Sequence, residues 1–401
     1  MKENFYRKVL KNGMTVILEK RDLPIISCAF AVRSGAMDEK EEEKGISHFI
    51  EHMLYKGTTN RTVTQIASEI ENNGGQLNGF TSESIVAYWA KMPSDKLDIA
   101  LDVLSDLIKN PLFDEKELEK ERKVIFEEIK MYKDNPRMYI LEKIKEYLYK
   151  KPFGMNIAGE YKTMNSVTRE KMVEYYKKIY TPNNLILCVV GDANFEHLVN
   201  FAENNFSGTK KEVIRPKVNL NSGSKIESRK GIDQANLIFA YNVPTSEDKK
   251  SYSAQVLSAV MTGGMSSRLF SEIREKRNLA YAVKGDSDIE KDFGYNFIFI
   301  GTMKENVNPV KKLILEEFKK VEEGLEEKEL KEVKEKLIGN FKINMEDSQS
   351  QMVHLLATEI EGDAGKFYNY EKNILDVNLK DVKDLAKKAV ENYSFFALVP
   401  E

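Results

Sequence analysis

A chain of 401 residues is long for one domain, and 41% hydrophobic with 31% charged residues describes a protein with buried cores. Its 61 basic and 64 acidic residues leave a net charge of −3 with no long single-sign block, which argues against nucleic acid or a membrane surface as a partner. No apolar stretch reaches the roughly 20 residues that span a bilayer, and the opening MKENFYRKVLKNG lacks the apolar core of a secretory leader, so a cytoplasmic protein is expected.

In chain order, strands are predicted at Thr15 to Glu19 and, as an apolar run, at Ile25 to Val32. A polar loop (Asp38 to Lys44) then precedes an apolar helix at about Gly45 to Tyr55 and an amphipathic one at Val63 to Asn72. Two strands follow, Gln76 to Phe80 and Ile85 to Lys91, then three helical stretches from Ser94 to about Tyr149, and a strand at Leu185 to Val190. The polar segment Ser207 to Arg229, with Gly208, Pro216 and Ser222-Gly223-Ser224, reads as a linker. Beyond it the order returns: strands at Lys225 to Ser228 and Leu237 to Tyr241, a polar loop (Ser246 to Lys250), and an apolar helix (Tyr252 to Met261). An amphipathic helix (Ser267 to Lys276), strands around Tyr281 and Phe297, helices from Val307 to Glu361 and a strand at Phe395 to Val399 complete it. Glu115-Lys116-Glu117-Leu118 recurs as Glu327-Lys328-Glu329-Leu330, an offset of 212. The expected fold class is α+β: two homologous domains, 1–210 and 225–401, each a mainly antiparallel sheet packed with helices. Cys28 and Cys188 sit in apolar strand-like runs and are expected to be buried, reduced thiols.

Of only four histidines, two stand four apart in Gly45-Ile46-Ser47-His48-Phe49-Ile50-Glu51-His52-Met53-Leu54. On a helix, positions i and i+4 lie about 40° apart and i+3 about 60° to the other side, so His48, Glu51 and His52 share one face. Their neighbours are apolar almost all round, and three ionisable groups on a buried helix are costly unless something satisfies them. A divalent metal would. A lone histidine is more often a hydrogen-bonded core residue, but the HxxEH pair makes that reading the weaker one here. On the helix that starts near Asp114, Glu121 and Glu128 are seven apart with Ile125 on the same stripe, while Glu127 points about 100° away. An inward pair of carboxylates suggests Glu128 as the third ligand and Glu121 as an acceptor that orients a ligand histidine.

HxxEH is the inverzincin signature, and the chain resembles the pitrilysin (insulinase) family of zinc metallopeptidases. It is similar in particular to the small two-domain branch of bacterial and mitochondrial processing peptidases. That family places its third ligand about 76 residues after the second histidine; 128 − 52 = 76 selects Glu128, and the accessory glutamate seven earlier falls on Glu121. Tyr55-Lys56-Gly57-Thr58, Thr181-Pro182-Asn183-Asn184 and Gly191-Asp192 also match. The resemblance implies one Zn2+ per chain on His48, His52 and Glu128, an open position for water, and Glu51 as general base. It implies that Asn78, Gly79, Phe80 and Thr81 form an edge strand to which an extended substrate adds; alanine is usual at the Gly79 position. It further implies that an arginine and a tyrosine seven apart, here Arg274 and Tyr281, bind the substrate backbone and stabilise the oxyanion. Asn278 stands where glycine is common.

Larger family members carry four such domains, so a two-domain chain implies a clamshell homodimer in which Arg274 and Tyr281 of one subunit complete the site of the other. The expected activity is that of an endopeptidase on peptides or unfolded segments. The alternative is a non-catalytic peptide-binding or partner subunit, a kind of relative that has typically lost the metal motif. A di-iron carboxylate bundle would need paired Glu-x-x-His motifs, and Met261 to Met265 is a helix-ending turn, not a phosphate loop.

Overall fold

In the computed structural model, which describes residues 4–211, 213 and 215–401, the chain divides into two units. Glu212 and Ile214 of the expected linker, and Met1 to Glu3 of the expected leaderless start, lie outside the described residues. The first unit holds a sheet of β1 (Phe5–Val9), β2 (Thr15–Lys20), β3 (Ile25–Val32), β4 (Gln76–Thr81), β5 (Val86–Pro93) and β6 (Leu185–Gly191), in spatial order β1-β2-β6-β3-β5-β4. Its first-half helices are α1 (Ile46–Leu54), α2 (Val63–Glu71), α3 (Leu97–Lys109) and most of α4 (Glu115–Asp134). After α5 (Pro136–Leu148) come α6 (Tyr161–Ser166), α7 (Arg169–Ile179) and α8 (Phe195–Asn205).

The second unit holds β7 (Ser224–Arg229), β8 (Ala235–Asn242), β9 (Ala280–Ile289), β10 (Gly294–Thr302) and β11 (Ser394–Pro400), in order β7-β11-β8-β10-β9. The helices of the second half are α9 (Ser251–Thr262), α10 (Val307–Gly324), α11 (Glu327–Asn344), α12 (Ser348–Ile360), α13 (Tyr370–Leu375) and α14 (Leu379–Glu391). Aligning β2, β6, β3, β5, β4 with β7, β11, β8, β10, β9 gives the same pairing throughout. Only β2 with β6 and β7 with β11 are parallel; every other pair is antiparallel. The domains are thus homologous α+β units, β1 being an addition to the first. The repeated Glu-Lys-Glu-Leu opens α4 and α11, and α5 and α12 keep the same displacement (348 − 136 = 212).

Alternation of side chains along a strand gives each sheet two faces. In the first, Val16, Leu18, Cys28, Phe30, Val86, Tyr88, Leu187 and Val189 form the fully covered core face. Each large aliphatic or aromatic side chain sealed there contributes about 1.5–3 kcal/mol. The opposite face carries Ala29, Ala31, Ala87 and Cys188 beside the larger Ile17, Trp89, Ile186 and Val190, all buried, and it is covered by α12, which packs on β3 and β6. Ser27 and Ser348 hydroxyls meet there at 2.9 Å. At the far end of α12 the buried Glu359 carboxylate accepts from Arg7 Nε (2.7 Å) and Nη2 (2.9 Å), from the Ala364 amide (3.0 Å) and from Arg33. The second sheet is treated the same way by α5, which packs on β8 and β11, with Tyr147 stacked on Phe396 and Arg229 over the Tyr139 ring. Accordingly the first unit includes Asn344–Tyr368 and the second includes Met131–Met155: each sheet is covered by a helix from the other half of the sequence.

The predicted strands and the long helices occur as expected, with three differences. β1 is not among the predicted strands, because two of its five residues, Arg7 and Lys8, are charged, as suits an exposed edge strand. Helices α6, α7 and α8 in the first half, and α13 and α14 in the second, fall in regions for which no helix is predicted. The expected helix Ser267 to Lys276 forms a shorter π-type turn over Phe270–Glu275. Cys28 and Cys188 are both free and buried, on adjacent strands but opposite faces, since Ala29 and not Cys28 pairs with Cys188. Among the described residues no helix is long and apolar enough to cross a membrane.

Candidate metal centre

The loop before α1 fixes how that helix enters the core. The buried Glu39 carboxylate accepts from the amides of Gly45 (2.9 Å) and Ser47 (2.7 Å), satisfying two donors of the helix N-terminus. Lys44, also fully buried, donates to the Ala36 carbonyl at 2.7 Å. With Phe49, Ile50, Met53 and Leu54 locked in the core, the remaining face of α1 presents His48, Glu51 and His52. On α4, Glu121 and Ile125 are buried, Glu128 is partly buried, and Glu127 is exposed, as the stripe predicted.

Glu128 Oε2 lies 3.6 Å from His48 Nε2 and 3.6 Å from His52 Nε2, and the three residues offer ligand atoms within 4.8 Å of one another. These separations are too long for hydrogen bonds. They are close to the donor–donor edge of about 3.3 Å that metal–ligand bonds of about 2.0–2.1 Å produce around tetrahedral zinc. Burial, and then the neighbouring His52, drive the His48 imidazole down to about 3, so it is neutral and able to ligate. Two imidazoles and one carboxylate fit Zn2+ in charge, softness and number. Among the described residues no other His, Cys, Asp and Glu group converges in this way.

Behind the ligands stands a chain that the sequence reading saw only in part. His52 Nδ1 is 3.1 Å from Glu121 Oε2, and Glu121 Oε1 accepts from Lys56 Nζ at 2.8 Å. The carboxylate orients the ring, and the ammonium holds the carboxylate, a role for Lys56 that its place in Tyr55-Lys56-Gly57-Thr58 does not reveal. Glu121→Gln is expected to weaken zinc binding about 10- to 100-fold with the fold intact, measured by competition with a chromogenic chelator. An unchanged affinity would remove Glu121 from the centre. His48 Nδ1, by contrast, is buried with no hydrogen-bond partner among the described residues.

Glu51 is not among the converging ligands. Its Oε2 accepts from Thr81 Oγ1 at 2.6 Å, and burial raises its pKa against that hydrogen bond. Thr81, expected only as part of a substrate strand, therefore reaches Glu51 with its side chain. Strand β4 pairs with β5 alone and leaves its outer edge open. On it, Gly79 lies beside Glu51 and Tyr55, Phe80 is half-buried, and the Gly79 amide donates to its neighbour's Asn78 Oδ1 at 2.8 Å.

Arg274 and Tyr281 belong to the second unit and are not part of this cluster. Arg274 is half-exposed in the π-type turn, over the Phe270 ring at 4.9 Å, and its nearest acid is Glu275 at 4.0 Å. Arg277 is committed to Glu272, whose carboxyl is held down to about 2 first by the Lys276 ammonium and then by the Arg277 guanidinium. Asn278 takes a left-handed conformation (φ 54°), which explains an asparagine where glycine is common. Tyr281, exposed at the start of β9, lays its ring over Gly301 of β10, where any side chain would displace it.

A family model described as "Insulinase (Peptidase family M16)" matches residues 15–160, which hold the His–Glu cluster and Glu51. A second, "Peptidase M16 inactive domain", matches residues 166–337, which hold Arg274 and Tyr281. The chain is 37% identical over 347 residues to an uncharacterized zinc protease of Rickettsia felis, covering 85% of this chain and 84% of that protein. It is 30% identical over 403 residues to an uncharacterized zinc protease of Bacillus subtilis, covering 98% of each. The crystal structure of a protease from Helicobacter pylori shares the fold, with a TM-score of 0.90 at 22% identity over 99% of each chain.

Proposed function

Because the chain belongs to the insulinase family of peptidases (family M16), we propose that it is a zinc endopeptidase acting on peptides or unfolded segments. One Zn2+ per chain would be held by His48, His52 and Glu128. The observation that carries this reading is the convergence of those three side chains beside a carboxylate, Glu51, that does not join them.

Zinc held there supplies a Lewis acid that polarises a scissile carbonyl and acidifies a water. Glu51, buried and steadied by Thr81, takes the proton of the attacking water and returns it to the leaving amine. The open edge of β4, at Asn78, Gly79, Phe80 and Thr81, supports binding of an extended peptide by strand addition, with the Asn78 side chain giving up the Gly79 amide. Arg274 and Tyr281 would bind the substrate backbone and the developing oxyanion. Arg274 meets an acid only at 4.0 Å whereas Arg277 is tied to Glu272, a difference that supports that assignment. The protein would act in the cytoplasm as a homodimer, each subunit's second unit serving the metal centre of the other.

Metal analysis together with cleavage of a quenched fluorescent peptide library tests the reading. About one zinc per chain with cleavage is expected. Metal without cleavage across the library would instead favour a partner subunit that binds peptides without cutting them.

A further inference from the structure

Beside Glu51 stands a hydroxyl that the reaction does not yet use. Tyr55 caps α1 four residues after Glu51, so the two side chains share a face. Its hydroxyl oxygen is buried and has no hydrogen-bond partner among the described residues. An unmade hydrogen bond at a buried donor is unfavourable, and where one persists beside a reacting group it calls for an explanation.

Gly79 shows how the hydroxyl comes to be there. A Cβ on Gly79 would stand 2.6 Å from the Tyr55 hydroxyl, 3.1 Å from Glu51 Oε1 and 3.0 Å from the Ala87 carbonyl oxygen. The hydroxyl and Oε1 therefore both lie against the bare α-carbon, in space that any other residue would fill. The Tyr88 ring, 5.8 Å from that of Tyr55, walls the far side, and its own hydroxyl is occupied by Tyr180 at 2.7 Å. On Glu51, Thr81 holds Oε2, and no donor among the described residues is bonded to Oε1. A buried donor without a partner and a carboxylate oxygen that no described donor holds both lie against the Gly79 α-carbon.

We propose that Tyr55 is a positioning residue for Glu51: its hydroxyl, unbonded in this structure, turns across the Gly79 α-carbon to donate to Oε1, complementing the Thr81 bond to Oε2, and Gly79 is the residue that admits it. The inference rests on the peptidase reading for its meaning. A carboxylate held at both oxygens presents one fixed lone-pair direction to a water, whereas one held by Thr81 alone can swing. Because the bond joins a neutral donor to a charged acceptor, it belongs to the stronger class of hydrogen bonds.

The test compares the wild type with Tyr55→Phe, Gly79→Ala and the double variant, on one cleavable peptide and in the metal-free protein. Tyr55→Phe is expected to lower kcat about 10-fold, with KM within about twofold and zinc content unchanged. Gly79→Ala, whose methyl displaces the hydroxyl, should match it, and the double variant should lose no more than either alone. In the metal-free protein, Tyr55→Phe should lower the thermal midpoint by about 2 °C, and that shift should vanish in an E51L background. Wild-type kcat in Tyr55→Phe, single losses that multiply in the double variant, or a thermal shift that persists in E51L would each overturn the proposal. If the zinc-loaded wild type cleaves nothing, the peptidase reading falls, while the thermal cycle still decides whether Tyr55 and Glu51 are bonded.

Discussion

Glu51→Gln is expected to abolish peptide cleavage, by about 10²- to 10⁴-fold in kcat, while the protein retains its zinc. The amide preserves the volume of the carboxylate in a buried position and can still accept from Thr81 through its carbonyl oxygen. It has no basic site with which to take a proton from water, so the substitution isolates proton transfer from packing. Because Glu51 is not one of the three converging donors, zinc stoichiometry and affinity should remain at wild-type levels. His52→Ala serves as the contrast, removing a ligand and releasing the acceptor Glu121, and should lose metal and activity together. Zinc content by atomic absorption and kcat on the same preparations separate the two. Wild-type turnover in Glu51→Gln would end the general-base assignment, and loss of zinc would make Glu51 a ligand.

Producing residues 1–210 and 225–401 as two separate polypeptides should give fragments that are unfolded or insoluble alone and recover structure only when made together. The reason is the crossed cover of the two sheets. A 1–210 fragment carries α5 with its apolar side chains exposed, and it lacks α12 over the second buried face of its own sheet. Ile140, Ile144, Leu148 and Tyr149 are all buried in the whole protein. At about 1.5–3 kcal/mol each, their exposure alone costs about 6–12 kcal/mol, comparable to the entire stability of an ordinary domain. The 1–210 fragment would also leave Arg7 and Arg33 without Glu359. Circular dichroism and solubility of each fragment, alone and co-expressed, report the outcome. A 1–210 fragment that folds cooperatively by itself would show that the crossed helices are dispensable.

The parts of this architecture that were legible in the sequence are those written in local patterns. Ile25–Val32 is a continuous apolar run because β3 is covered on both faces, and it was predicted to the residue. The face shared by His48, Glu51 and His52 follows from helical geometry, and the inward placing of Glu121 and Glu128 from the stripe they share with Ile125. Which sheet a helix covers is not a local property: α5 and α12 show apolar positions, but nothing in either segment says that its partner strands lie in the other half. The roles of Lys56 and Tyr55 were hidden for a related reason. Each contacts the centre through a group from elsewhere in the chain, Glu121 of α4 in one case and the bare α-carbon of Gly79 in the other. Strand β1 was missed because an edge strand carries charge where a central one carries valine and isoleucine.

The placement of the two cysteines has a consequence for redox behaviour. Cys28 points into the core face and Cys188 toward α12, both sealed from solvent, and burial raises the pKa of each thiol. Neither is a ready thiolate, and facing opposite sides of one sheet they cannot join to each other without tearing it. The candidate centre is made of nitrogen and oxygen donors only. Oxidants that strip zinc from cysteine-ligated sites by converting the ligands to disulfide or sulfenic acid would therefore find nothing to oxidise at this one, and the metal should stay bound whether the surroundings are reducing or oxidising.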